Sequence, residues 1–167
     1  MIDVSMLSDR YDVRRLDESD AEDVLDLCRE NTLFYRYCGG REPSREEVLN
    51  DMRILPPGVD RSDKHYVGFF RDGTLIAVMD LIDGYPEPDA AYIGFFMVNA
   101  AFQGRQIGSG VIRDVCACLK RLGKVTVRLA IDEKNPQANH FWRKNGFLVV
   151  RKVPMDGWTA LVADKAL

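Results

Sequence analysis

Apolar positions in the first third of the chain recur at helical spacing. Ala21, Val24, Leu25 and Cys28 fall at i, i+3, i+4 and i+7 and define one helix face. Asp17 or Ser19 can cap that helix, and Asp20, Glu22 and Asp23 suit its N-terminal end. Before it, Tyr11 to Leu16 alternates polar and apolar residues as a strand does. Asn31 to Gly40 is rich in aromatics and closes on Gly39-Gly40, compatible with helix or irregular chain. Ser44 and Glu47 make a capping-box pattern for a second helix. Val48, Met52 and Leu55 form its inner face, and Pro56-Pro57-Gly58 stops it.

The periodicity then shortens to that of strands. His65 to Phe70 and Thr74 to Ile82 flank Asp72-Gly73, a hairpin signal. The second of these strands is apolar on both faces, which places it inside a sheet. A loop over residues 83–89 leads to the apolar run Tyr92 to Val98. A glycine-bearing turn, Ala101 to Gly110, connects it to a helix over Ile107 to Leu122 that buries Val111, Val115, Cys118, Leu119 and Leu122. Val125 to Ile131 is a further strand, Asn135-Pro136 opens a short helix that ends at Asn145-Gly146, and Phe147 to Val153 and Trp158 to Ala163 pair as the last two strands. The pattern predicts one α/β (α+β) domain over residues 1–167.

Composition adds limits. The chain has 167 residues, 46% of them hydrophobic, which suits one full core. The net charge of −3 argues against non-specific nucleic-acid binding. No apolar run is long enough to span a membrane, and the start of the chain lacks the basic-then-apolar pattern of a secretory signal. Cys28, Cys38, Cys116 and Cys118 read as reduced thiols of a cytoplasmic protein, and Cys116 and Cys118, two apart on a helix, face different directions and make no metal-ligand pair.

The turn between the Tyr92 strand and its helix carries the first chemical signal. Strand, turn, helix aims the free N–H groups of the first helical turn at one point, where donors and dipole together attract an anion such as a pyrophosphate. No Gly-Lys-Ser/Thr follows, so it is not a P-loop, and the glycine spacing does not fit a dinucleotide fingerprint.

Val98 followed by Gln103-Gly104-Arg105-Gln106-Ile107-Gly108, together with Asn135-Pro136-Gln137-Ala138-Asn139-His140-Phe141-Trp142 and the closing Gly146-Phe147, resembles the GNAT superfamily of N-acetyltransferases. The resemblance implies a mixed, mostly antiparallel sheet flanked by helices, whose central strands Tyr92–Val98 and Val125–Ile131 splay apart. It implies acetyl-CoA as co-substrate and no metal. Pantetheine would pair with the backbone near Phe96, Met97 and Val98, the turn from Gln103 to Ser109 would hold the pyrophosphate, and Asn135, Phe141 and Trp142 would line the arm. The Val98 backbone N–H would serve as oxyanion donor. Gln106 stands where the family's first glycine is usual, and a negative φ is expected there.

Two further family positions differ. Trp142 stands where a tyrosine often protonates the leaving thiolate, and Gly94 where a glutamate often serves as base. The best alternative carboxylate is Asp80, on an otherwise apolar strand, with the face of Ile76, Val78 and Ile82. It is either a structural aspartate or the base or anchor for the amine. Tyr35, Tyr37 and Tyr85 are candidates to contact the acceptor, a small or peptide-borne amine; a homodimer is compatible with the family. Transfer of a longer acyl group, or a catalytically silent acyl-CoA-binding domain, are the alternative readings.

Overall fold

A computed structural model describes residues 2–167. Strand β1 (Asp12–Arg15) is followed by a tight 3-10 turn whose first residue is Glu18. Asp17 caps this turn by accepting from the Ser19 N–H, and Asp20 reaches back to the Asp17 N–H. Helices α1 (Ala21–Glu30), α2 (Thr32–Tyr37) and α3 (Arg45–Arg53) come next. Ala21, Val24, Leu25 and Cys28 are all buried on α1, joined by Leu27. The aromatic segment after α1 is helical over α2 before it reaches Gly39-Gly40, both in the left-handed region. Ser44 and Glu47 form the capping box of α3, whose Val48 and Met52 are buried. The expected inner position Leu55 falls outside that helix, because α3 ends at Arg53 ahead of the paired prolines.

Seven strands make one sheet in the order β1-β2-β3-β4-β5-β7-β6, with β2 (Lys64–Arg71), β3 (Thr74–Asp83), β4 (Ala90–Val98), β5 (Thr126–Asp132), β6 (Leu148–Pro154) and β7 (Thr159–Ala166). Helix α4 (Ile107–Arg121) links β4 to β5, and α5 (Pro136–Lys144) links β5 to β6. Only β4 and β5 run parallel. They pair over Ala90–Ile93 against Thr126–Leu129 and then separate. β7 inserts between β5 and β6, so β6 is an edge strand with Leu148 and Val150 exposed.

Each sheet face buries its own core. α1 and α3 cover one face through Val24, Leu25, Val48 and Met52 against Tyr66, Val78 and Met97. α4 and the α5 end cover the other through Val111, Val115, Leu119, Trp142 and Phe147 against Phe69, Met79, Leu129 and Leu161. Burying one such large side chain stabilises by about 1.5–3 kcal/mol. Two expected placements are corrected. Leu122 is 47% exposed, because α4 ends at Arg121 and the chain turns away at Gly123. Ile76 packs with the α4 core rather than beside Val78, because a bulge between Phe69 and Phe70 breaks the alternation there.

Candidate functional site

A second bulge shapes the centre of the sheet. Leu81 faces Ile93 and Asp80 faces Phe95, so Gly94 is an extra residue on β4. β4 bends away from β5 at this point. The ladder phase beyond the bulge decides what the opened edge offers. The Asn99 N–H donates to the Ile76 carbonyl at 2.8 Å. Hydrogen-bonded and non-hydrogen-bonded pairs alternate along an antiparallel ladder. Val98, opposite Ala77, and Phe96, opposite Met79, therefore turn their backbone N–H and C=O groups away from β3 toward the gap. The Val98 carbonyl is already engaged, by Asn31 Nδ2 at 3.1 Å and Gln103 Nε2 at 3.0 Å. Gln103 also donates to Asn31 Oδ1 at 2.5 Å. This small network ties the start of the turn to the end of α1.

The turn itself uses two left-handed residues, Gly104 at φ 74° and Gln106 at φ 58°. The expectation of negative φ at Gln106 is corrected. Its conformation is needed to bring the chain into α4, where it is the N-cap and its carbonyl accepts from the Gly110 N–H at 3.0 Å. The N–H groups of Ile107, Gly108 and Ser109 precede that first bond and point outward. A left-handed non-glycine residue costs about 1–2 kcal/mol. Gln106→Gly is therefore expected to stabilise the protein by about 1 kcal/mol, after the added chain entropy of glycine is subtracted. Thermal unfolding checks it; a lower melting temperature would mean that the Gln106 side chain holds the turn.

Turn, β4 edge and α5 enclose a cleft of about 350 Å³. Phe96, Met97 and Val98 form its floor, and Gln103, Gly104, Gln106, Ile107, Gly108 and Ser109 its turn end. Asn135, Phe141 and Trp142 line the opposite side. Gly108 is the narrow point: a Cβ there would stand 3.1 Å from Phe141 and 3.2 Å from Val98. Phe96 stacks on Phe141 at 5.9 Å and leans on Trp142 at 5.9 Å. Trp142 is 9% exposed and also meets Phe147 edge-on, so it serves core and cleft together. Asn135 caps α5 by accepting from the Ala138 N–H at 3.0 Å. Arg105 is the one expected turn residue that lies outside the cleft; it faces a separate pocket on the far side of the turn.

A second cavity, about 540 Å³, continues from the first and shares Phe34, Phe96, Asn135, Ala138 and Trp142 with it. It occupies the splay between β4 and β5. Tyr37, Phe95 and Trp158 give it aromatic walls, and Asp132 and Asp156 line it as well. Of the three tyrosines expected at the acceptor, only Tyr37 is brought there. Tyr35 packs under the α1 and α3 layer, where burial first and the neighbouring Cys28 second push its hydroxyl pKa up. Tyr85 sits in the loop after β3, edge-on to Tyr92 at 5.6 Å.

Asp80 lies behind the wall of this cavity. Its Oδ2 accepts from Lys64 Nζ at 2.6 Å, with the two side chains 9% and 1% exposed. A Cβ on Gly94 would stand 2.6 Å from the same Oδ2, so only a glycine lets this carboxylate approach β4. Asp80 Oδ1 is buried without a hydrogen-bond partner. Burial pushes the carboxyl above its ordinary range, and the Lys64 ammonium opposes that shift. Lys64 and Asn31 are the polar residues that sequence reasoning missed. Lys64 starts a strand and looks like a surface residue; Asn31 looks like a helix-end residue.

The fold is a mixed α/β sheet whose one parallel pair opens over a helix N-terminus. The acetyltransferase (GNAT) family profile matches residues 24–147, and the chain belongs to that family. Among solved structures it is similar to an acetyltransferase from Thermus thermophilus, with 22% identity, a TM-score of 0.76, and 93% of this chain and 96% of that one covered. It is also similar to the PaiA N-acetyltransferase of Thermoplasma acidophilum, solved in complex with coenzyme A, with 23% identity, a TM-score of 0.66, and coverage of 93% and 98%. A GCN5-related N-acetyltransferase from Kribbella flavida aligns at 22% identity with a TM-score of 0.65 and coverage of 95% and 98%. No curated protein sequence gives a significant match. Among the described residues, no helix is long and apolar enough to cross a membrane.

Proposed function

We propose that this chain transfers the acetyl group of acetyl-CoA to a primary amine by direct attack. The observation that carries the reading is the continuous path from the N-terminus of α4, along the unpaired edge of β4, into the aromatic cavity of the splay. The free N–H groups of Ile107, Gly108 and Ser109 suit a pyrophosphate. The outward backbone N–H and C=O of Phe96 suit the amides of a pantetheine arm. Acetyl-CoA supplies an activated thioester. The Val98 N–H is placed to donate to the oxyanion that develops when the amine attacks.

The acceptor enters from the 540 Å³ cavity, where Asp132 and Asp156 outnumber the one lining cation, Lys134, and favour a cationic amine, and Tyr37 and Trp158 pack against its carbon frame. The attacking amine must lose a proton. Asp80 is the buried carboxylate nearest to the bulge, and because Gly94 has no side chain its Oδ2 fills that place against the β4 backbone, which makes Asp80 the candidate to take that proton. Trp142 carries no acidic proton, so the thiolate departs without a dedicated acid from that position.

A second reading has its own support: Asp80 Oδ2 is already paired with Lys64, as in a structural ion pair. A domain that binds acetyl-CoA without transferring its acyl group would look the same. Free-thiol release from acetyl-CoA across a panel of amines separates the two. Turnover with at least one amine, lowered at least tenfold in Asp80→Asn, is the expected result, since a positioned base contributes about 10²–10⁴-fold. Tight binding of acetyl-CoA with no turnover for any amine would establish the silent domain. No calorimetric binding at about 1 mM acetyl-CoA would remove both.

A further inference from the structure

On the far side of the turn from the acetyl-CoA cleft lies a pocket of about 350 Å³ walled by arginine. Arg10 comes from the segment before β1, Arg71 from the end of β2, Arg105 from the turn and Arg113 from α4. No carboxylate lines it. In a chain with a net charge of −3, four guanidinium groups meeting at one cavity need a reason. Only one is neutralised locally: Arg10 grips Asp114 through Nε at 2.9 Å and Nη2 at 2.7 Å, and also donates to the Gly110 carbonyl. Arg71 donates to the Tyr11 hydroxyl at 3.2 Å and lies over its ring. Arg105 and Arg113 have no ion-pair partner among the described residues.

Three permanently charged forks with no ion-pair partner among the described residues therefore converge where the Ser109 hydroxyl is also at hand. Their mutual repulsion is relieved by an anion carrying more than one charge. The fork geometry matches phosphate oxygens, and each charge-assisted pair is stronger than a neutral hydrogen bond. The pocket shares Gln106, Ile107 and Ser109 with the cleft, so it adjoins the pyrophosphate cradle across the thickness of one turn.

We infer that this arginine pocket is a second phosphate-binding site, distinct from the pyrophosphate cradle. Its ligand is a phosphate monoester or polyphosphate group. That group is either the 3′-phosphate of the bound coenzyme A or part of a separate phosphorylated effector, whose arrival would bear on the same turn. The first source rests on the proposed acetyl-CoA binding; the second does not.

Calorimetry on the intact protein separates these sources. Arg71→Gln/Arg113→Gln removes two of the free forks without touching the cleft. If the site takes the 3′-phosphate, the parent protein binds coenzyme A at least tenfold more tightly than 3′-dephospho-coenzyme A, in keeping with the loss of one or two charge-assisted bonds of about 1.5–3 kcal/mol each. The double variant then loses that preference while its affinity for the dephospho form stays unchanged, which also shows that it is folded. If the site takes a separate anion, inorganic pyrophosphate or tripolyphosphate binds to coenzyme A-saturated protein. That affinity falls with salt and drops at least tenfold in the double variant. Arg113→Gln alone, on an exposed helix position, gives an intermediate loss in either case.

Equal affinities for the two coenzyme A forms in parent and variant, with no polyphosphate binding at about 10 mM, would overturn the site. Failure to bind either form of coenzyme A would instead strike at the cleft. The polyphosphate titration, run then on the free protein, still decides the arginine pocket.

Discussion

Lys64→Met is expected to lower the unfolding free energy by about 3–5 kcal/mol, the usual consequence of leaving one member of a buried ion pair unpaired. Lys64 Nζ and Asp80 Oδ2 are 2.6 Å apart in an almost water-free setting, between the sheet and the helical layer that covers Tyr66. The stranded Asp80 would have no other cation in hydrogen-bonding range. Adding Asp80→Leu to the same background should recover most of the loss, because two apolar groups need no mutual partner. Denaturant titration of the parent, the single and the double variant reads the result. A single variant within about 1 kcal/mol of the parent would show that the pair does not hold this part of the fold.

The pH dependence of that deficit follows from Asp80. Burial already holds its carboxyl above the ordinary range, and Lys64 is what draws it back. Without Lys64 the native state binds this proton more readily than the unfolded chain does. Acidification then favours the native state through that window, so the deficit of Lys64→Met should be larger at about pH 8 than at about pH 5. The double variant, with no carboxyl at position 80, should lack this difference. If it is also stable but inactive, stability and chemistry at Asp80 are separated.

Gly108→Val should reduce acetyl-CoA affinity at least ~100-fold, the largest binding effect expected of a single change. Position 108 has room for hydrogen and little else. A Cβ would meet Phe141 at 3.1 Å and Val98 at 3.2 Å, and two further methyl groups extend into the cleft itself. Phe141 would have to leave its stack on Phe96, which removes one wall of the path. Overpacking of this kind also costs about 1–3 kcal/mol of stability, so the binding must be read well below the melting temperature. Gly108→Ala, with the Cβ alone, should be intermediate. Unchanged affinity in Gly108→Val would place the ligand elsewhere.

Much of this architecture was legible in the chain because it rests on local rules. The α1 face from Ala21 to Cys28, the Ser44–Glu47 box and the Asp72-Gly73 hairpin each need only neighbouring residues to be recognised. The turn end of the cleft was legible for a related reason: turn and helix start are contiguous in sequence. What was not legible depends on register. The bulge at Gly94 sets which residue opposes Asp80, and no period in the sequence announces it. Lys64 meets Asp80 only through the pairing of β2 with β3, sixteen positions away. The left-handed Gln106 follows from how α4 must leave the turn, which propensity alone argues against. Leu148 and Val150 look like core residues, yet β7 takes the interior place and leaves them on the rim.

Among the described residues, the four residue pairs between β4 and β5 are the only ladder that joins the meander β1–β4 to the β5, β7, β6 group. The sheet is in that respect a hinged pair of slabs rather than one plate. A molecule that pairs with the free edge of β4 while packing against α5 bridges both slabs. Binding should therefore act as a clasp, suppressing hydrogen exchange at the β4–β5 ladder, including Ile93 and Leu129, more than in the antiparallel strands on either side.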